Sequence, residues 1–176
     1  MFAAHYRFDS SCGDVWNDYV QWSGFHHIAE LVSTDGMLCS PVITELANED
    51  WEFNIHADFR TFLFHDLDYL KRRIDYDPHR HNLLQISERP AAPTLPPAGF
   101  ELCGYDILDS DDSVSVLTNC GGFPAIFAPN EVNRCGLLDD LARADAIARS
   151  IREAEPDDHH CCDCRVWSLC RYVGPA

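Results

Sequence analysis

Four prolines fall within the eleven residues from Arg89 to Gly99. Proline holds φ near about −65° and has no backbone N–H, so neither a helix interior nor a central strand runs through such a stretch. Regular structure has to be built on either side of it. The segment is read either as a stiff surface crossing within one domain of residues 1–176 or as a boundary between a helical N-terminal part and an α+β C-terminal part.

Downstream of the prolines, Phe100–Leu108 and Val114–Thr118 are expected as two strands joined by the polar turn Asp109–Ser113. Asn119–Pro124 is a loop on any reading. Leu137, Leu138, Leu141, Ala144, Ile147, Ala148 and Ile151 recur at helical spacing, which predicts a helix over 137–155 stopped by Pro156. Asp139 and Asp140 at its start and Arg149 and Arg152 at its end suit the helix dipole. Residues 164–173 alternate, so they are expected as a strand whose Cys164, Val166, Ser168 and Cys170 share one small, apolar face.

Upstream, Leu83–Ile86 predicts a buried strand. Phe59, Phe62, Leu63, Leu67, Leu70 and Ile74 predict a helix over 59–74 with Asp58 as its cap. Ser40-Pro41 reads as the start of a short helix ending near Asp50. Trp16, Tyr19, Val20 and Trp22 suit a short amphipathic helix, and 26–32 a further helical or extended piece. The expected architecture is α+β: a helical N-terminal portion, then an antiparallel sheet of about four strands (near 83–87, 100–108, 114–118 and 164–173) with the C-terminal helix packed on it.

With 176 residues, 46% hydrophobic and 24% charged, the chain has enough apolar surface for one folded domain. Such a composition excludes disorder, collagen and fibrous repeats. No apolar run approaches the roughly 20 residues that span a bilayer. Met1–Asp14 lacks the basic and apolar regions of a secretory signal, so a cytoplasmic location is expected. Of the 13 basic residues only Lys71 is lysine, a bias that codon usage in a GC-rich bacterial genome produces.

The net charge is −16, and it is spread along the chain: residues 1–88 carry 15 acids and 6 bases, residues 89–176 carry 14 and 7. Such a field repels nucleic-acid phosphates and anionic lipid, and it speeds encounter with basic proteins. Solubility alone is the competing explanation.

Four constellations are candidates for chemistry. His159, His160, Cys162, Cys164 and Cys170 are zinc-type ligands clustered within twelve residues. Cys120, in Asn119-Cys120-Gly121-Gly122, is a nucleophile if a base stands near it and a buried turn thiol otherwise. The acid-rich turn Asp109, Asp111 and Asp112 fails the EF-hand pattern, because its sixth and twelfth positions are Val114 and Cys120 rather than Gly and Glu. It reads as an acidic finger for a basic partner or as a solvated hairpin tip. His56, Asp58, His65, Asp66 and Asp68 are dense enough for a metal or acid–base group but show no ligand spacing, and fit caps and surface better.

Nucleotide-binding glycine loops, a nucleophile elbow and a basic stripe for nucleic acid are absent from the sequence. The reading that follows is a small acidic binding protein, of inhibitor or immunity type, that occupies a basic surface on a partner such as a nuclease-like toxin. It leans away from an enzyme, and no cofactor, nucleic acid or membrane is expected to bind. Asp109, Asp111, Asp112, Asp157 and Asp158 are the expected contact residues. The alternatives are a zinc-binding or metal-dependent protein using the C-terminal cluster and a thiol enzyme using Cys120.

Overall fold

The computed structural model describes residues 1–42, 50–57, 62–119, 123 and 125–174. In chain order the elements are β1 (Phe2–Tyr6), β2 (Phe8–Asp9), α1 (Asp14–Ser23), β3 (Glu30–Leu31), α2 (Asp50–Phe53), β4 (Asn54–Ala57), β5 (Phe62–Phe64), α3 (Leu67–Arg73), β6 (His81–Glu88), β7 (Phe100–Leu108), α4 (Leu141–Ala154) and β8 (Arg165–Tyr172). Six strands form one antiparallel sheet in the order β4-β5-β1-β6-β8-β7, and β2 pairs with β3. The α+β class holds.

Two parts of the expected architecture are corrected. The chain does not begin with a helical portion: β1 opens it and sits inside the sheet between β5 and β6. Its Ala3 and Ala4 are small and carry little strand propensity, which hides a strand whose two alanines are buried on opposite faces. The sheet also has six strands, not about four. Of the four expected, three form as β6, β7 and β8, while 114–118 contributes a single bridge from Ser115 to Leu108. There the N–H groups of Ser113 and Val114 donate to the Asp109 carboxylate at 2.8 and 3.0 Å, and that of Ser115 to Asp35 at 2.5 Å. Donors that a ladder would have used are taken by side chains.

The helix expected over 59–74 is shorter, running over 67–73 with Asp66 as its cap; the Tyr69 N–H donates to Asp66 at 2.8 Å. Phe62–Phe64 is β5, whose consecutive Leu63 and Phe64 are both buried, a demand a strand inside a sheet satisfies. Asp58 and Phe59 lie outside the described residues, as do 43–49 of the helix expected after Pro41. The C-terminal helix starts at Leu141 because Asp140 caps it, accepting the Arg143 N–H at 2.7 Å. Leu137 and Leu138 are buried ahead of it, and Leu138 exchanges backbone bonds of 2.8 and 3.0 Å with Tyr105.

Register places α3 and α4 on one face of the sheet. Ala4 opposite Leu83 carries α3, and Val166 opposite Ile107 carries α4. The other face bears Ala3, Leu84, Ile86, Trp167 and Leu169, covered by Val32 and Leu137 from loops. Ile147, Ala148 and Ile151 of α4 are fully buried. Each isoleucine so placed contributes about 1.5–3 kcal/mol. The proline segment runs exposed from β6 to β7, across β8, and Thr94 fastens it by donating its N–H to the Tyr105 hydroxyl at 2.9 Å.

Candidate functional site

β7 ends at Leu108, and the next residue, Asp109, is fully buried. Its carboxylate organises the turn by accepting the Ser113 and Val114 N–H groups, and one of its oxygens lies 3.1 Å from Nδ1 of His160. Ser110 joins the same contact, donating its N–H to the His160 carbonyl at 3.1 Å and its hydroxyl to the His159 carbonyl at 2.5 Å. Outside these bonds His159 Nε2 lies 3.6 Å from the exposed Asp111 carboxylate. The acid-rich turn and the loop after α4, far apart in sequence, therefore form one surface.

That loop is itself ordered by an acid. Asp158 accepts the N–H groups of His160 at 2.8 Å and Cys161 at 3.0 Å, and these bonds hold its carboxyl below the usual carboxylate range. Glu153, Glu155, Asp157, Asp158 and Asp163 are all exposed along the end of α4 and the loop. Asp111 meets this loop at His159, and the exposed acids of turn and loop are termed the acidic ridge, Asp163 among them being paired with Arg165 at 2.7 Å.

The expected contact residues thus divide. Asp111, Asp157 and Asp158 are exposed on the ridge. Asp109 is not at a tip but buried beneath it, because its oxygens are needed by the turn's backbone. Asp112 is half-turned inward, with φ at 53°, and pairs with Arg165 at 3.1 Å. Burial raises its carboxyl's affinity for a proton, and Arg165 opposes that.

The zinc-type cluster does not assemble around its cysteines. Cys164 is buried and donates to the Ala148 carbonyl of α4 at 3.6 Å, Cys162 is exposed and points to the His159 carbonyl at 3.6 Å, and Cys170 is buried further along β8. Burial pushes the Cys164 and Cys170 thiols up, away from the thiolate that a metal requires. Among the described residues one trio of metal-type ligands has its donor atoms within 4.8 Å of one another: Asp109, Asp111 and His160. Two carboxylates and one imidazole suit a hard or borderline divalent ion better than a thiolate centre.

Cys120 lies outside the described residues. His56 is on β4, Asp66 is the α3 cap, Asp68 sits in the first turn of α3, and His65 is exposed between β5 and α3.

Three internal features went unread in the sequence. Asp106 is fully buried, accepting the hydroxyls of Ser33 at 2.5 Å and Ser115 at 2.6 Å, and burial pushes its carboxyl up to about 7. Asp35 beside it is buried too, bonded to the Met37 and Ser115 N–H groups and to Asn119. An acid between Tyr105 and Ile107 in an apolar strand was the available signal. Glu30, also buried, binds Arg7 at 2.6 Å and Arg171, which reaches on to Glu101 at 2.6 Å. Finally, His5 and Asn82 face each other across β1 and β6, both buried, and their side chains have no hydrogen-bond partner among the described residues.

Among the described residues no helix is long and apolar enough to cross a membrane. In comparisons with known proteins, no family model, no curated sequence and no solved structure matches this chain significantly.

Proposed function

We propose that this protein is a cytoplasmic binding protein of inhibitor or immunity type, which uses its acidic ridge to occupy a basic surface on a partner protein. The observation that carries the reading is the joining of the 109–112 turn to the loop after α4. Asp111 lies against His159 of the loop that carries the exposed Asp157 and Asp158, on a frame braced by Asp109, Ser110 and His160. Carboxylates held on a stiff frame take the place of phosphates against an Arg- and Lys-lined surface, and they accelerate association more than they deepen affinity. A nuclease-like toxin offers such a surface because its own substrate is a polyanion.

The test is affinity capture from the native host at low and at moderate salt, run in parallel with an Asp111→Asn/Asp157→Asn/Asp158→Asn variant. The reading expects a basic, nucleic-acid-cleaving protein that the parent retains, that salt weakens, and that the variant loses. Recovery of no basic partner at either salt contradicts it.

The trio Asp109, Asp111 and His160 favours a second reading, a divalent cation bound where the turn meets the loop. Elemental analysis of protein purified without a histidine tag decides it: a stoichiometric metal that Asp111→Asn and His160→Ala remove supports the reading, and none ends it.

A further inference from the structure

Cys103 and Cys135 lie in different parts of the chain, one in β7 and one in the loop before α4, and they are brought to a single place. Cys103 is the extra residue of a bulge in β7: Leu102 pairs with Cys170 and Gly104 with Leu169, leaving Cys103 between them. Cys135 belongs to a turn laid against that bulge. Asn133 holds the two together, donating its side-chain N–H to the Cys103 carbonyl at 2.8 Å and accepting the Cys135 N–H at 2.8 Å. The approach is close enough that a Cβ on Gly104 would stand 2.7 Å from the Leu137 Cβ and from the Leu138 carbonyl.

The two side chains belong to the same buried cluster. They are 6% and 5% exposed, and both line a surface cleft of about 380 Å³ with Glu101, Asn133, Arg134 and Arg171. The neighbouring Cys103 thiol lowers the proton affinity of Cys135, with the Arg171 and Arg134 guanidinium groups acting the same way against burial and Glu30, while Cys135 and burial raise that of Cys103.

We propose that Cys103 and Cys135 form a reversible dithiol–disulfide couple whose substrate is a low-molecular-weight disulfide of the glutathione class. The Cys135 thiolate attacks one sulfur of the small disulfide. That S–S bond breaks, a Cys135 mixed disulfide forms, and one small thiolate leaves and takes up a proton. Cys103 then gives its proton to solvent and attacks the Cys135 sulfur, forming the Cys103–Cys135 bond and releasing the second small thiolate, which is protonated. The protein is oxidised by two electrons, and one small disulfide is reduced to two small thiols. Reduced glutathione runs the exchange backwards, so the state of the pair follows the thiol–disulfide ratio of the compartment. The bond would lock the β7 bulge to the 133–137 turn and close the cleft between them.

The experiment uses the full-length chain, incubated with graded ratios of reduced to oxidised glutathione, quenched with acid, alkylated and mapped by mass spectrometry without reduction. The expected product is a Cys103–Cys135 cross-linked peptide that appears with one midpoint and disappears when reduced glutathione is restored. Cys103→Ser is expected to trap glutathione on Cys135, whereas Cys135→Ser leaves Cys103 unmodified. The exposed Cys39 and Cys162 serve as internal controls for reagent activity. If those two acquire glutathione while Cys103 and Cys135 of the folded parent protein stay free thiols at every ratio, the proposal is overturned. Cross-links from either residue only to other cysteines overturn it as well.

Discussion

The Asp109 carboxylate lies 3.1 Å from Nδ1 of His160, a residue 51 positions further along the chain. This contact turns two separate acid-rich stretches into one surface. The same carboxylate accepts two backbone N–H groups of its own turn. Asp109 is therefore a brace under the ridge, and Asp111 is the face it presents.

Substituting the two should separate those roles. Asp109→Ala leaves the Ser113 and Val114 N–H groups buried without acceptors, and a loss of about 2–4 kcal/mol is expected in chemical denaturation. Asp111→Asn removes an exposed charge and is expected to stay within about 0.5 kcal/mol of the parent. Equal losses for the two would contradict the division.

Two buried groups set opposing pH dependences. Asp106 has its carboxyl raised from 3.8 to about 7 by burial, so the folded state holds a proton that the unfolded chain releases, and stability falls as pH rises from 3.8 towards 7. His5 is lowered by burial from 6.5 to about 4, so the unfolded chain takes up a proton that the folded state refuses, and stability falls as pH drops from 6.5 towards 4. At about 1.4 kcal/mol per pKa unit each effect amounts to a few kcal/mol, and over pH 4–6.5 they largely offset each other. Relative to the parent, Asp106→Asn is expected to gain stability with rising pH across this window, and His5→Met to lose it. Denaturation midpoints at three pH values across the window decide the matter, and parallel profiles for all three proteins would refute both assignments.

Gly104 adopts φ of 141° at the β7 bulge, against the 133–138 segment. Gly104→Ala meets backbone as well as side chain there and is expected to cost about 2–4 kcal/mol. Gly13, also at positive φ but with open space around it, is expected to tolerate alanine with a smaller loss, about 1 kcal/mol, from backbone strain alone. Thermal unfolding of the two variants side by side tests the contrast.

How far the sequence could be read follows from how local each signal is. The helix at 141–154 and the strands at 81–88, 100–108 and 165–172 are long enough for their own periodicity to show. β1 has five residues, two of them alanine, and its place inside the sheet depends on partners about sixty and eighty residues away. Phe62 and Leu63 fit a helical spacing by coincidence, while burial of Leu63 and Phe64 together demanded a strand. On the ridge, Asp111, Asp157 and Asp158 were legible as acids, but the joining of the turn to the loop was not, since it rests on Ser110 and His160. The burial of Asp109 and Asp106 was hidden for the same reason: only the folded chain supplies the hydroxyl and N–H donors that make it tolerable.

If the protein acts through its acidic ridge, association with its partner is governed by charge before contact. The decisive measurement is the association rate constant for a captured basic partner, followed over a range of ionic strength for the parent and for the Asp111→Asn/Asp157→Asn/Asp158→Asn variant. The parent rate is expected to fall at least tenfold between about 0.01 and 0.15 M salt, with a clearly flatter slope for the variant. Superimposable slopes for the two proteins would contradict the assignment of function to this ridge.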